Sequence, residues 1–84
     1  MKTVYILKDS MDGDILGVYT SQEAMIPDIT EILQDTNEIN YYQYGECEAG
    51  EQLLEDIRKG ERNWNRIMAI CSLSIYDFTL KGED

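Results

Sequence analysis

The chain is short and strongly acidic, and both properties limit what it can be. Its 84 residues support a single domain, residues 1–84, built around one hydrophobic core. Seventeen Asp and Glu residues against 7 Lys and Arg give a formal net charge of −10. A surface with this charge repels nucleic-acid phosphates and anionic membranes and attracts basic proteins. We therefore expect a partner protein with a basic surface, and neither direct nucleic-acid binding nor membrane binding.

Hydropathy and cysteine usage predict a cytoplasmic protein. No apolar run reaches the roughly 18 residues of a membrane span, and a strand-like pattern begins within the first residues. Cys47 and Cys71 are far apart in a chain that lacks histidine, which excludes zinc clusters of the Cys/His type. We expect both cysteines to be reduced, with Cys71 in the core and Cys47 exposed.

The N-terminal segment predicts an antiparallel β-hairpin. Residues 2–9 and 14–20 are rich in β-branched and aromatic side chains, which favour strands. Between them lies Asp12-Gly13, a pair preferred where a tight turn needs a positive φ. Apolar residues occupy both faces of the first strand, with Val4 and Ile6 on one and Tyr5 and Leu7 on the other. We therefore expect both faces of the sheet to be partly covered.

A helix is predicted to follow the hairpin. Residues 20–23 have the pattern of a capping box, in which the Thr20 hydroxyl caps the first turn and Glu23 reaches back to the cap. An apolar stripe with helical spacing would lie on the sheet: Met25, Ile29, Ile32 and Leu33. Acidic residues would face water: Asp28, Glu31 and Asp35. Because Pro27 interrupts this pattern, either the helix bends near Ala24 or its regular part begins with Pro27 in the first turn.

The middle of the chain gives less decisive signals. Residues 35–38 predict a loop, and residues 39–44 fit either a short strand or an irregular segment that presents tyrosines. Residues 48–59 predict a second helix, with Arg58 and Lys59 in its last turn and Gly60 just beyond.

The C-terminal part alternates apolar and polar residues over residues 64–80. This alternation predicts one long strand with a bend, or two strands, with a helix over residues 64–71 as the alternative. The complete pattern predicts an α+β fold: a small antiparallel sheet of three to four strands, formed by the N-terminal hairpin and a C-terminal strand, and packed by two short helices.

The sequence argues against a metal site and against catalysis. Carboxylates around Gly13 look like a calcium loop, but with Gly13 at the sixth loop position Lys8 comes first and Tyr19 twelfth, where Asp and Glu are required. The chain has no histidine to act as a base, and no phosphate-binding loop, dinucleotide fingerprint or nucleophile elbow. We expect no metal, no cofactor and no enzymatic activity.

A row of glutamates is the strongest candidate for a binding surface. Glu48, Glu51 and Glu55 recur at i, i+3 and i+7, so they line one face of the predicted second helix, and Glu46 extends the patch. Such a row can imitate phosphates and capture the Lys/Arg groove of a nucleic-acid-binding protein. The alternative is an ordinary solvated helix face.

Three tyrosines precede this row: Tyr41, Tyr42 and Tyr44. Tyrosine buries a large area at low entropic cost and is common at binding hot spots, so the three could belong to the same surface as the glutamates. Tyrosines also pack against sheet edges, and the sequence leaves both interpretations open.

Several segments resemble a group of short, largely uncharacterised bacteriophage and bacterial proteins. The resemblance is carried by residues 4–7, the Asp12-Gly13 turn, residues 15–21, Glu23-Ala24 and residues 74–80. It implies a hairpin, a capped helix and a closing strand, and a phage-like origin. Small acidic phage proteins are often inhibitors of host nucleases, of the anti-restriction or anti-CRISPR kind, that act in the host cytoplasm.

These observations lead to two hypotheses. In the first, the chain is a non-enzymatic phage accessory protein that binds and inhibits a basic host nucleic-acid-processing protein. Its partner-binding residues would be Tyr41, Tyr42, Tyr44, Glu46, Glu48, Glu51 and Glu55. In the second, the chain is a structural or oligomerisation module that forms a homodimer through an exposed strand.

Overall fold

The computed structural model describes residues 2–81 as a three-stranded antiparallel sheet with three helices. In chain order the elements are β1 (Lys2–Asp9), β2 (Ile15–Tyr19), a 3₁₀ turn (Glu23–Met25), α1 (Ile26–Tyr44), α2 (Glu48–Arg58), α3 (Trp64–Cys71) and β3 (Leu73–Leu80). The strand order is β2-β1-β3. The predicted α+β fold, with its hairpin and its C-terminal strand, is confirmed. There are three helices rather than the two expected, and the first has 19 residues.

The hairpin turn is longer than a two-residue turn and depends on Asp9. The Asp9 carboxylate accepts hydrogen bonds from the backbone amides of Met11 at 2.8 Å and Asp12 at 3.2 Å. Gly13 has φ of 77°, as its place in the Asp-Gly pair predicts. The Asp9 carboxylate therefore closes the turn between the strands.

Strand β3 pairs with β1 along its whole length, from Leu80 opposite Lys2 to Leu73 opposite Asp9. Because side chains alternate along a strand, Leu7, Leu73 and Ile75 share the face that carries the helices. Leu7 is fully buried there. No element among the described residues covers the opposite face of the sheet, so the expectation that both faces would be partly covered is wrong for that face.

The entry into α1 differs from the predicted capping box. The Ser21 hydroxyl, not that of Thr20, accepts a hydrogen bond from the Ala24 amide at 3.1 Å. Glu23 lies within the 3₁₀ turn and does not reach back to a cap, because Arg62 holds its carboxylate with contacts of 2.6 to 3.1 Å. Pro27 lies in the first turn of α1, the second of the two alternatives, where its missing amide leaves no hydrogen bond unmade.

The predictions for residues 35–44 are wrong, because α1 continues through them. Neither the loop at 35–38 nor the strand or irregular segment at 39–44 is present. Asn37 is buried in this stretch, so contact with the rest of the fold outweighs the low helix propensity of the Asp-Thr-Asn run. The helix ends at Tyr44 and is capped by Gly45, whose φ of 77° is left-handed and whose amide donates to the Tyr41 carbonyl at 2.8 Å.

The second helix is confirmed and the segment before β3 is corrected. Helix α2 begins at Glu48 and ends at Arg58, one residue before the predicted end. Residues 64–71 form a helix, the alternative to a strand, and the Asn63 side chain caps it by accepting from the Arg66 amide at 3.2 Å. Ile67 and Cys71 are buried one turn apart, which is the helical spacing.

The core lies between the helices and the inner face of the sheet. Its buried residues are Leu7, Met25, Ile29, Leu33, Leu53, Ile57, Ile67, Cys71 and Leu73. Cys71 is in the core as expected, Cys47 is half-buried rather than exposed, and both are free thiols. Within residues 2–81, none of the helices has the length and apolar character needed to cross a bilayer.

Candidate protein-binding surface

The end of α1 extends past the core. Its buried stripe runs through Ile29, Leu33 and Asn37 at i, i+4 and i+8, and the next position of the same stripe is Tyr41. Tyr41 is 62% exposed, and Tyr44, one turn further, is 75% exposed. Two tyrosines thus occupy the continuation of the core-facing stripe where no core remains to cover them.

The third tyrosine lies on another side of the same helix. Tyr42 is 92% exposed and follows Ile39, itself more than half exposed, at the i+3 spacing that brings side chains together. Asp35 and Glu38 border this pair around a shallow depression of about 510 Å³. The three tyrosines therefore form two groups, and Tyr42 belongs to an apolar patch with an acidic rim.

Glu48, Glu51 and Glu55 are exposed on one face of α2, as their spacing predicts. This face points away from Leu53 and Ile57, which are buried on the other side of the helix. Their carboxylates differ in their contacts. The Glu51 carboxylate accepts from the Cys47 thiol at 3.2 Å, and that of Glu55 lies 4.0 Å from the Lys59 ammonium in an exposed ion pair.

Two of these glutamates also stabilise α2. Glu48 and Glu51 lie in its first turn, where negative side chains interact favourably with the helix dipole.

Loss of solvent and the neighbouring carboxylates of Glu51 and Glu46 raise the pKa of the Cys47 thiol. Cys47 is therefore a protonated hydrogen-bond donor at neutral pH, which is not the state of a nucleophilic cysteine.

A groove of about 660 Å³ lies where α1, α2 and α3 meet. Glu46 and Glu48 line it together with Asn40 and Arg66. Its lining is mixed, with the apolar side chains of Ala49 and Ile70 beside these polar ones. The groove brings two of the predicted glutamates together just after the exposed Tyr41 and Tyr44.

The seven predicted residues thus do not form one continuous patch. Tyr41, Tyr44, Glu46 and Glu48 surround the connection between α1 and α2. Tyr42 lies on another side of α1, and Glu51 and Glu55 continue along the outer face of α2. We call the complete set of seven residues the tyrosine–glutamate surface.

Two further signals in the sequence indicate the extent of α1 and the negative charge of this part of the chain. Gly45 directly after Tyr44 is a typical helix C-terminus and would have indicated a helix up to residue 44. From Asp9 to Ile57 the chain contains no lysine or arginine, although most of its acidic residues are there. Helix α1 and nearly all of α2 therefore present negative charge without internal cations.

No group of three or more potential metal ligands occurs within the part of the chain that the structure describes. No family model, curated protein or solved structure matches the chain. The resemblance to short phage and bacterial proteins thus stays a prediction, and the argument for function depends on the geometry of the surface.

Proposed function

We propose that this chain is a non-enzymatic protein-binding module that captures a basic surface of a nucleic-acid-processing protein. The observation that carries the proposal is the extension of α1 past the core, which exposes Tyr41 and Tyr44 on the core-facing stripe. Tyr42 is exposed on another side of the helix, and the whole segment from Asp9 to Ile57 has no lysine or arginine. Large aromatic side chains surrounded by one sign of charge provide both anchors and long-range attraction.

Long-range electrostatic attraction would speed association with the partner, and the tyrosines would provide contact area in the complex. Neighbouring glutamates of the row are about 4.5 and 6 Å apart along α2, less than the Debye length of about 8 Å at physiological salt, so their charges act on a partner together. The tyrosines then bury apolar area without losing many rotamers. A surface of this kind competes with nucleic acid for a Lys/Arg groove, because both ligands present rows of negative charge.

The resemblance to phage proteins suggests which partner to look for. We propose a phage accessory protein that acts in the host cytoplasm and inhibits a host nuclease, as anti-restriction and anti-CRISPR proteins do. This part of the proposal is an analogy with that class and depends on the same surface.

Affinity capture with charge-reversed variants tests the proposal. The chain would be immobilised and exposed to host lysate at low and at high salt, alongside a variant with Glu48→Lys, Glu51→Lys and Glu55→Lys. A control with Asp12→Lys, Asp14→Lys and Glu61→Lys changes the net charge equally, at exposed positions outside the surface. We expect a basic protein to be retained by the wild type and the control and lost from the first variant. Equal retention by both variants would contradict the proposal.

A second candidate is self-association through an exposed strand. The observation in its favour is that β3 lies at the edge of the sheet along all eight of its residues. An unpaired edge of this length is a template for pairing with a second copy. Hydrogen exchange at low and high protein concentration tests it, since edge pairing would protect the outward-pointing β3 amides only at high concentration.

A further inference from the structure

The outer face of the sheet, opposite the helices, is apolar. The register places Val4 and Ile6 of β1 on this face, beside Ile15 and Val18 of β2 and beside Tyr76 and Phe78 of β3, with Leu80 at the end of β3. Phe78 is 53% exposed and Val18 61%. Among the paired outward positions of the described residues, three are charged or carry a small polar side chain: Lys2, Lys8 and Ser74.

This face departs from the usual pattern of a sheet covered on one side. An antiparallel sheet of that kind normally alternates apolar residues toward the core and polar residues toward water. Here the residues on both faces are largely apolar. Those on the inner face already pack against Met25, Leu33, Ile67 and other residues of the helical layer. The apolar residues on the outer face are not covered by any element of the described chain, although their composition is that of an interior surface.

The few charged residues on this face also follow a pattern. The chain has 17 acidic residues, yet among residues 2–81 none of the paired outward positions of the sheet carries one. The two lysines lie toward the ends of the apolar strip, and the Lys8 ammonium lies 5.4 Å from the centre of the Tyr76 ring. An apolar centre with charges at its ends is the anatomy of a protein interface.

We propose that the outer sheet face binds the same face of a second copy of this chain, so that two sheets stack into a sandwich. Face-to-face stacking of two sheets is a common way to bury apolar sheet surfaces. It also brings together the part of each molecule that is free of carboxylates, so the net charge of −10 opposes this contact less than it would oppose contact through the helices.

The available area is sufficient for a dimer. Three strands about 4.8 Å apart, the longest with eight residues rising about 3.3 Å each, give a face of about 26 by 14 Å. With side-chain relief, two such faces bury roughly 1,000 Å² in total, the lower limit of a biological interface. The dimer should therefore be reversible, with a dissociation constant on the order of 10 µM.

This dimer is independent of the tyrosine–glutamate surface and differs from pairing at the β3 edge. Stacking buries the side chains of one sheet face and leaves the edge amides of β3 unpaired. Edge pairing does the reverse. Because stacking is symmetric and closed, the largest species should be the dimer.

Sedimentation equilibrium over a range of concentrations tests the proposal. Wild-type chain would be compared with Phe78→Glu and Val18→Glu, which introduce charge on the outer face, and with Tyr42→Glu, which changes an even more exposed aromatic on α1. Circular dichroism and thermal unfolding would establish that each variant is folded. We expect the wild type and Tyr42→Glu to dimerise, and each sheet variant to raise the dissociation constant at least about 30-fold.

A second measurement locates the contact. In a mixture of differently isotope-labelled chains, intermolecular nuclear Overhauser effects should join methyl groups of Val4, Ile6, Ile15 and Val18. A wild type that stays monomeric at about 1 mM, far above the expected dissociation constant, would overturn the proposal. So would species larger than a dimer, dimerisation that survives in folded Phe78→Glu and Val18→Glu, or intermolecular effects confined to the β3 backbone.

Discussion

The side chain of Asn37 lies against Gly50 where α1 and α2 come together. A Cβ atom at residue 50 would overlap the Asn37 carboxamide, so this contact depends on a glycine inside a helix. Both residues are buried. The neighbouring groove and the extension of α1 beyond it depend on how closely the two helices approach at this point.

Gly50→Ala should therefore destabilise the fold although alanine is the better helix former. Helix propensity favours alanine by about 1 kcal/mol, whereas overpacking at a buried contact costs about 1–3 kcal/mol. We expect a net loss of about 1 kcal/mol in the free energy of unfolding, measured by urea titration. Adding Asn37→Ala should recover much of that loss. A gain in stability from Gly50→Ala alone would show that the helices separate at little cost.

Replacing Asn37 by leucine should stabilise the protein. Both polar atoms of the Asn37 side chain are buried and neither has a hydrogen-bond partner in the structure. An unpaired buried amide costs about 1–3 kcal/mol, and leucine has nearly the same branched shape without that cost. We expect Asn37→Leu to raise the free energy of unfolding by about 1–2 kcal/mol. The control Asn65→Leu, at an exposed position on α3, should change it by less than about 0.5 kcal/mol. A destabilised Asn37→Leu variant would mean that a bound water pairs this carboxamide.

Tyr19 should make stability depend on pH in the alkaline range. Its hydroxyl donates to the Asp28 carboxylate at 2.5 Å. Burial first, and then this hydrogen bond and the negative charge of Asp28, raise the pKa of Tyr19 to about 12 from 10.0. The unfolded chain therefore ionises at lower pH than the folded one, so this contribution to stability is complete below pH 10 and is lost between pH 10 and 12.

Tyrosinate absorbance during a pH titration, together with urea unfolding at each pH, measures this effect. Tyr19→Phe should remove the high-pKa step and reduce the fall in stability over that range. A Tyr19→Phe variant with the same alkaline profile as the wild type would assign the effect to another group.

The reactivity of Cys47 should depend on Glu51 and not on Glu55. The Glu51 carboxylate accepts from the thiol and helps to raise its pKa, so Glu51→Gln should lower that pKa and speed alkylation by iodoacetamide at pH 8. Glu55→Gln, one turn further along the helix, makes the same charge change without touching Cys47. Mass spectrometry of the labelled peptides would follow both variants. Equal acceleration by both would mean that only the general negative field acts on the thiol.

In each of these variants Cys71 should label last. Burial raises the pKa of its thiol to about 11, and the core shields it from reagent. Labelling of Cys71 therefore reports global opening and serves as an internal standard for the Cys47 rates.

Local signals predicted much of the fold. The Asp-Gly pair between two β-rich segments predicted the hairpin, and Arg58 and Lys59 before Gly60 predicted the end of α2 to within one residue. The errors occurred where distant contacts outweigh local preference. Asp35 to Asn37 are poor helix formers, yet Asn37 packs in the core beside Gly50, and no local pattern shows that contact. Residues 64–71 satisfy both a strand period and a helix period, and the Asn63 cap is the feature that distinguishes them.

The candidate surface was predictable only in part. The spacing of Glu48, Glu51 and Glu55 indicated one helix face from sequence alone. Tyr41 continues the buried stripe of α1 beyond the core. This could be recognised only once the length of α1 and the position of α2 were known. The apolar outer face of the sheet likewise became visible only once the register showed which side the helices leave open.

The most direct test of the central claim is competition for the captured partner. The partner's nucleic-acid ligand would be fluorescently labelled, and its displacement by the chain measured by anisotropy at several salt concentrations. We predict complete displacement by the wild type, weakening as salt rises, and none by the Glu48, Glu51 and Glu55 charge-reversed variant. A ternary complex, in which the chain and the nucleic acid bind the partner together, would contradict the claim that the tyrosine–glutamate surface occupies a nucleic-acid groove.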